Sequence, residues 1–164
     1  MNIAKRIILF VVLCILQAFV LNRVALFDIA TPLLYAYFLL LFAPDTPKWS
    51  FPIWGFALGL INDTFTNTPG VSVCASTLTA FLQPYILNIF ISKENQMDAI
   101  PSMKTLGIMQ YITYSSTLIA IFTIVLYALD AFTTSNWTYT LMAIGGSWLF
   151  TMVIILVIEA ARKR

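Results

Sequence analysis

Long apolar segments of helix length run through most of this chain and limit what it can fold into. The two longest, Leu106–Leu129 and Thr138–Ala160, together contain a single charged residue, Glu159. A helix needs about 20 apolar residues to cross the hydrocarbon core of a bilayer. Soluble domains have about 25% charged residues, whereas this chain has 10%. The sequence therefore predicts an all-α integral membrane protein.

Six segments are predicted to cross the membrane as one compact bundle, a single domain over residues 1–164. Their approximate bounds are 5–22, 31–43, 51–66, 71–91, 106–129 and 138–160. From Pro32 the second segment is only about 18 Å long as a helix, which is shorter than the bilayer. Either the preceding residues join it through a kink at Pro32, or Val24–Ala30 lies across the bundle mouth beside a short, tilted span. We favour the second arrangement.

The distribution of Lys and Arg predicts the orientation of the bundle. Six spans place both termini on one side, with all but one of the nine Lys and Arg residues, and leave only Arg23 on the other. Cytoplasmic loops are rich in Lys and Arg, so both termini are predicted to be cytoplasmic. Five or seven spans would remove this asymmetry. The residues on the predicted inner side are Lys5, Arg6, Lys48, Lys93, Lys104, Arg162, Lys163 and Arg164.

Composition argues against several classes of function. The chain has no histidine, which excludes Ser-His-Asp, Cys-His and histidine-metal chemistry. A net charge of +2 without a basic run gives no indication of nucleic-acid binding. Cys14 and Cys74 lie in apolar runs, where cysteine usually acts as a small hydrophobic side chain. No serine lies in a Gly-x-Ser-x-Gly context, so we predict a non-enzymatic protein without a cofactor or a metal.

Residues 54–70, WGFALGLINDTFTNTPG, are predicted to form most of the third span and the polar turn after it. Gly55, Gly59 and Asp63 recur every four residues and share one helix face with Asn62 and Thr66. Glycines at this spacing allow a neighbouring helix to approach closely. That neighbour is predicted within the bundle, with homodimerisation as the alternative. The opposite face is predicted to consist of Phe56, Leu58, Leu60, Ile61 and Phe65.

Within residues 54–70, Asp63 is the residue that allows the largest number of interpretations. Carboxylates inside membrane spans are candidates for function by default, so a proton or cation relay, a ligand contact or a partner contact are all considered. The structural alternative is that Asp63 caps the turn 67–70 or bonds hydroxyl groups of the fourth helix. Asp28 and Asp130 are predicted in the same outer half, which makes a three-carboxylate cation site conceivable.

Three further interpretations concern the membrane surface and helix packing. Trp49 and Trp54 suit the level of the lipid headgroups, where aromatic anchors are common. Glu159 lies three residues before Arg162, which predicts an ordinary interfacial ion pair. The adjacent glycines Gly145 and Gly146 predict close packing of the sixth span.

Prolines, glycines and an aspartate follow one another in a distinctive order over Thr31–Gln83. It runs from a proline-led helix through a proline-rich loop and a Gly-x-x-x-Gly-Leu-x-x-Asp run to a polar turn and a glycine before the fourth helix. This order resembles the MreD family of rod shape-determining membrane proteins. The chain departs from the family at Leu33, where an acidic residue is common, and at Ser72, where a histidine is frequent. The matching positions are Pro32, Gly55, Gly59, Leu60, Asp63 and Gly70.

The resemblance implies a protein of the bacterial inner membrane that binds MreC. Through MreC it would belong with MreB, RodA and a transpeptidase to the cell-elongation machinery that supports peptidoglycan synthesis. The helix-packing and partner interface would consist of Gly55, Gly59, Asn62, Asp63, Thr66 and Gly70. The outer segment with Asp28 and Pro32 would complete this interface.

The same resemblance implies an alternative, because the six-helix fold of the family is similar to that of the substrate-capture subunits of ECF-type vitamin transporters. In that case Asp63, Asn62, Thr66 and hydroxyl groups of the fourth helix would line a small-molecule pocket. Val24–Ala30 would be its lid.

Overall fold

A computed structural model of the chain describes residues 3–19, 31–42, 46–91, 101–134 and 137–163. The described residues form no strands, so the predicted all-α class is confirmed. From α3 onward, each helix begins and ends within a few residues of its predicted bounds. The helices are α1 (Ile3–Phe19), α2 (Ala36–Leu40), α3 (Ser50–Thr66), α4 (Val71–Phe90), α5 (Ile108–Thr134) and α6 (Trp137–Lys163).

Three helices contain stretches that are long and apolar enough to cross a membrane, namely Val71–Phe90, Ile108–Phe132 and Trp137–Arg162. The helices α1 and α3 have 17 residues each, or about 26 Å of helix, slightly less than the roughly 30 Å of a hydrocarbon core. Large apolar side chains cover the outside of the bundle, far more than the patches that soluble monomers expose. These features indicate a membrane protein. The exposed apolar side chains on the outside of the bundle include Ile8, Phe19, Ile89, Phe132, Leu141 and Val157.

The second predicted helix, residues 31–43, is wrong in its helical extent. Only Ala36–Leu40 is α-helical, and five residues rise about 7.5 Å. Every residue from Pro32 to Phe42 is buried. Pro32 has no N–H and disfavours a helical residue before it, so the chain enters this segment without a helix. The segment is the centre of the bundle and has no face toward lipid.

Side chains from two other helices satisfy the non-helical backbone at the start of this segment. The Gln17 side-chain amide donates to the Pro32 carbonyl (2.9 Å), and its oxygen accepts from the N–H of Tyr35 (3.4 Å). The Thr151 hydroxyl accepts from the N–H of Leu33 (3.0 Å). Irregular backbone at membrane depth is tolerated only when protein groups satisfy it. α1 and α6 therefore hold the central segment in place.

The remaining helices surround the central segment in sequence order. α3 packs on α4, α4 on α5 and α5 on α6, while α1 lies against α3. In the centre, the ring of Tyr35 meets that of Phe122 edge to face, with centroids 5.2 Å apart. Phe38 of α2 contacts Phe10 of α1 in the same way at 5.4 Å. The core thus forms around residues 33–42.

Two contacts lie at the same end of the bundle. Arg6, near the start of α1, donates to Thr46 just before α3 (3.0 Å). Glu159, near the end of α6, accepts from the N–H of Met103 just before α5 (3.4 Å). We call this the Glu159 end. The opposite end contains the turn between α3 and α4, and we call it the Asp63 end.

The two tryptophans predicted as membrane anchors occupy different environments. Trp49 precedes α3 and is exposed, as an anchor at the headgroup level would be. Trp54 lies one turn further into α3 and packs between Phe10 (5.4 Å between ring centroids) and Phe38 (5.7 Å). Trp54 is half-buried and packs against the core, on the side of α3 that faces α1 and α2.

Candidate functional site

The glycine face of α3 lies directly against the small-residue face of α4. The Ser76 hydroxyl donates to the Gly55 carbonyl over 2.6 Å. A Cβ atom at Gly55 would lie 2.7 Å from both the Ala80 Cβ and the Ser76 carbonyl oxygen. A Cβ at Gly59 would overlap Ser76 and Val73 and lie 2.6 Å from the Ser72 carbonyl. The two backbones meet without side chains between them, as small residues permit in membranes.

Asp63 lies at the end of this face and caps the first turn of α4. Its Oδ2 accepts from the N–H groups of Gly70 (2.8 Å) and Val73 (3.1 Å), and its Oδ1 accepts from the N–H of Ser72 (2.8 Å). The Thr68 hydroxyl donates to Oδ1 over 3.3 Å. The first N–H groups of a helix have no partner within the helix, and a carboxylate there also meets the positive end of the helix dipole. Of the two interpretations of Asp63, this geometry corresponds to the structural one.

The turn between α3 and α4 depends on two residues with positive φ. Asn67 ends α3 with φ of 56°, and Gly70 precedes α4 with φ of 92°. Glycine adopts this conformation freely, and asparagine adopts it more readily than most other residues. The reversal within residues 67–70 brings the start of α4 back over Asp63, so the turn and the cap form one unit.

Asn62 and Thr66 complete the contact between the two helices. The Asn62 side-chain amide donates to the Ser72 hydroxyl over 2.9 Å. The Thr66 hydroxyl donates to the Asn62 carbonyl (2.9 Å) and lies 2.7 Å from the Thr68 hydroxyl. We call this unit the α3–α4 joint. It contains Gly55, Gly59, Asn62, Asp63, Thr66 and Gly70.

The predicted apolar face of α3 is correct for three of its members and wrong for Leu58. Phe56, Leu60 and Phe65 are exposed, whereas Leu58 is 1% exposed. Leu58 lies three residues after Gly55 and four before Asn62, so it belongs to the same helix face. The buried face of α3 is therefore wider than the spacing of glycines and Asp63 indicated.

Of the predicted outer segment, only Pro32 lies among the described residues. Pro32 is buried at the start of the central segment, where its carbonyl accepts from Gln17, and Asp28 lies outside the described residues. In the part of the chain that the structure describes, no group of three metal-ligating side chains occurs. The three-carboxylate site therefore receives no support from Asp63, whose oxygens accept from the backbone of α4.

A cavity of about 170 Å³ opens beside the joint at the Asp63 end. One wall is held by hydrogen bonds: the Tyr127 hydroxyl lies 3.0 Å from that of Thr31 and 2.7 Å from that of Ser147. The N–H of Thr31 also donates to Ser147 (3.1 Å). Asp63 is not part of the lining. The lining residues are Thr31, Leu33, Asn62, Thr66, Thr68, Val71, Ser72, Leu126, Tyr127 and Asp130.

A second buried carboxylate, Glu159, has a larger role than the sequence indicated. Its ion pair with Arg162 is present at 3.8 Å, but the Glu159 side chain is only 3% exposed. It also accepts from the Tyr37 hydroxyl (2.9 Å) and from the N–H of Met103. Glu159 thus links α6 to α2 and to the start of α5. The sequence interpretation as an interfacial ion pair missed this burial, although the position of Glu159 inside an otherwise uncharged span is a signal that could have predicted it.

The polar groups of the α3–α4 joint are directed at one another, so its evident task is to fix two helices at close distance. That arrangement suits a rigid surface or a wall of a cavity, with Asp63 as the acceptor for the first N–H groups of α4. Comparison with known proteins adds nothing to this geometry, because no family model, curated protein or solved structure matches the chain.

Proposed function

We propose that this chain is a non-enzymatic scaffold of the bacterial inner membrane, of the MreD type, with six spans and both termini in the cytoplasm. It would bind MreC and thereby support the elongation machinery that contains MreB, RodA and a transpeptidase. The observation that carries the proposal is the α3–α4 joint. Four positions through which the sequence resembles the family, Gly55, Gly59, Asp63 and Gly70, build one rigid unit.

The α3–α4 joint limits the surfaces to which a partner would bind. The small-residue faces of α3 and α4 contact each other, so they are not accessible to another helix. The outer side of α3 remains, with Phe56, Leu60 and Phe65 about half exposed, together with the polar tip at residues 67–70. A transmembrane helix of MreC would pack on the apolar face, and its membrane-proximal segment would reach the tip.

The charges at the two ends of the bundle support the proposed orientation. Those Lys and Arg side chains that the structure describes all lie at the Glu159 end, near the termini of α1, α5 and α6 or beside the start of α3. Positive charge on one side favours that side as cytoplasmic. The Asp63 end would then face the periplasm, where MreC has its main domain. The described Lys and Arg side chains at the Glu159 end are Arg6, Lys48, Lys104 and Arg162.

The test is association with MreC in the membrane. The tagged chain, extracted from its own bacterium in mild detergent, should retain MreC, and its depletion should convert rods to round cells. Normal rods after depletion, with no retained MreC, would contradict the proposal.

Variants of Leu60 locate the partner on the outer face of α3. Leu60→Arg places a charge on that face and should abolish retention of MreC, whereas Leu60→Phe keeps the face apolar and should retain it. Leu141→Arg, on the exposed face of α6, is the matched control and should behave as wild type does. Equal loss of MreC in both arginine variants would mean that the outer face of α3 is not the specific contact.

The cavity favours a second candidate, a capture subunit for a small molecule. Its location matches the predicted pocket in Asn62, Thr66 and the α4 hydroxyl of Ser72, although not in Asp63. Ligand pockets usually measure about 300–1,000 Å³, so about 170 Å³ is small for a vitamin. Mass spectrometry of the purified protein distinguishes the two candidates: a retained vitamin favours capture, and retained MreC favours the scaffold.

A further inference from the structure

The Tyr35 hydroxyl lies in the centre of the bundle without a hydrogen-bond partner among the described residues. Tyr35 is 1% exposed, and no described group is placed to bond its hydroxyl. Ser72 and Asp63 lie on the same side, but the Ser72 hydroxyl accepts from Asn62, and Asp63 accepts from the backbone of α4. Because a buried polar group without a partner is costly and rare, this hydroxyl indicates a partner other than a described side chain.

A second, much smaller cavity lies beside Tyr35, where α1, the central segment and α3 meet. Its volume is about 10 Å³. A cavity needs roughly 10–15 Å³ to hold one water molecule, so this one has space for a single water and for no organic ligand. The lining residues are Cys14, Gln17, Tyr35, Leu58, Ile61 and Asn62.

The lining offers a water molecule the polar contacts that it needs, which number two to four in protein interiors. The Tyr35 hydroxyl can donate or accept, and the free, buried thiol of Cys14 is a weak donor and a weak acceptor. The amides of Gln17 and Asn62 are fixed at the cavity by their own bonds, to the central segment and to Ser72. A water molecule bonded to Tyr35 and Cys14 requires no change in those bonds.

We propose that one ordered water molecule occupies this cavity and forms a hydrogen bond with the Tyr35 hydroxyl. The water joins α1 to the central segment at the level of Gln17, next to the face of α3 that carries Leu58 and Asn62. It is a structural component of the core. The site is independent of the scaffold function, since an internal water requires no partner protein, so retention or loss of MreC has no bearing on it.

Pulsed X-ray footprinting of the purified full chain in detergent tests for the water directly. The X-rays convert water into hydroxyl radicals, which oxidise cysteine and tyrosine side chains that they touch before they can diffuse away. In water enriched in oxygen-18, we expect Tyr35 and Cys14 to take up the label although both are buried. Tyr114 is the control, because it is equally buried, bonds Gln83 and does not line the cavity. Labelling of Tyr35 and Cys14 no greater than that of Tyr114 would overturn the proposal.

The variant Tyr35→Phe gives a second result, whose sign is informative. If the hydroxyl has no partner, its removal relieves an unsatisfied buried group and should raise the thermal midpoint. If it bonds a water, a contact nearly as favourable as a direct hydrogen bond is lost, and the midpoint should fall by a few degrees. We expect the fall, together with weaker labelling of Cys14. A midpoint at or above that of wild type contradicts the proposal.

The variant Cys14→Ile locates the water in the cavity. The larger side chain fills the space and excludes the water, so labelling of Tyr35 should drop to the level of Tyr114. In this background Tyr35→Phe should no longer lower the midpoint. Cys74→Ile, at the exposed cysteine of α4, is the matched control and should leave the labelling of Tyr35 unchanged. Undiminished labelling of Tyr35 in a folded Cys14→Ile variant contradicts the assignment, and the wild-type footprint decides if the variants do not fold.

Discussion

Two neighbouring helix pairs, α3–α4 and α5–α6, both contain glycines within membrane-length apolar sequence, but Gly55 and Gly59 of α3 differ from Gly145 of α6. A Cβ at Gly55 or Gly59 would collide with α4. A Cβ at Gly145 of α6 would meet nothing within 4 Å, so the predicted close packing is wrong for Gly145. Close backbone approach and the Asp63 cap hold the first pair, whereas side-chain hydrogen bonds join the second.

The contacts of α5–α6 show what replaces the glycines. The Tyr127 hydroxyl lies 2.7 Å from that of Ser147, and the Trp148 indole N–H donates to the Ser116 carbonyl over 3.2 Å. Long side chains make these bonds, whereas the α3–α4 joint brings two backbones together. Gly145 is exposed, so a glycine in a span marks a close contact only where it faces a neighbouring helix, as Gly55 faces Ser76 and Ala80 of α4.

The largest effect is expected for Gly59→Leu. The obstacle to the added side chain is the backbone of α4 at Ser72 and Val73, which cannot rotate away. Overpacking costs about 1–3 kcal/mol where side chains can adjust, and we expect at least the upper value here. Size-exclusion chromatography in detergent should show loss of the monodisperse peak.

The matched control for this change is Gly145→Leu, which adds the same side chain where the described structure leaves open space. It should elute as wild type does. If the two variants behave alike, close backbone approach is not what distinguishes α3–α4 from α5–α6.

The next largest effect is expected for Asp63→Leu, which leaves the N–H groups of Ser72, Val73 and Gly70 without their acceptor. Each unsatisfied buried group costs about 1–3 kcal/mol, so the thermal midpoint should fall steeply. Asp63→Asn should lie between Leu and wild type, because both carboxylate oxygens accept hydrogen bonds and an amide retains only one acceptor. An Asn variant as stable as wild type would be at odds with a two-oxygen cap.

These contrasts show which features the sequence could predict. The bounds of α3 to α6 follow from long apolar runs ended by polar turns, and the shared face of Gly55 and Asp63 follows from a spacing of four. The support of the central segment could not be predicted in this way. Thr151 contacts Leu33 from 118 positions away, and no local pattern encodes such a pairing. The burial of Glu159 likewise depends on Tyr37 from α2.

A smaller effect is expected for Tyr127→Phe, which removes the hydroxyl between Thr31 and Ser147 but keeps the ring. Interhelical hydrogen bonds in membranes contribute about 0.6 kcal/mol on average and at most about 1.7. The thermal midpoint should therefore fall by a few degrees, with the protein still folded. Tyr85→Phe, on a residue that is 51% exposed on α4, is the control. A loss as large as that of Asp63→Leu would mean that α5–α6 relies on one hydroxyl as strongly as α3–α4 relies on its cap.

The smallest effect is expected for Gly145→Ala. The added methyl group meets no neighbour, and alanine favours the helix over glycine by about 0.8–1.0 kcal/mol in water. The thermal midpoint should therefore stay the same or rise slightly. The same substitution at Gly55 should lower it, because the methyl group would lie 2.7 Å from the Ala80 Cβ. The two alanine variants should shift the thermal midpoint in opposite directions only if the neighbouring helix, rather than the glycine itself, decides the packing. Shifts in the same direction would remove the distinction between the two helix pairs.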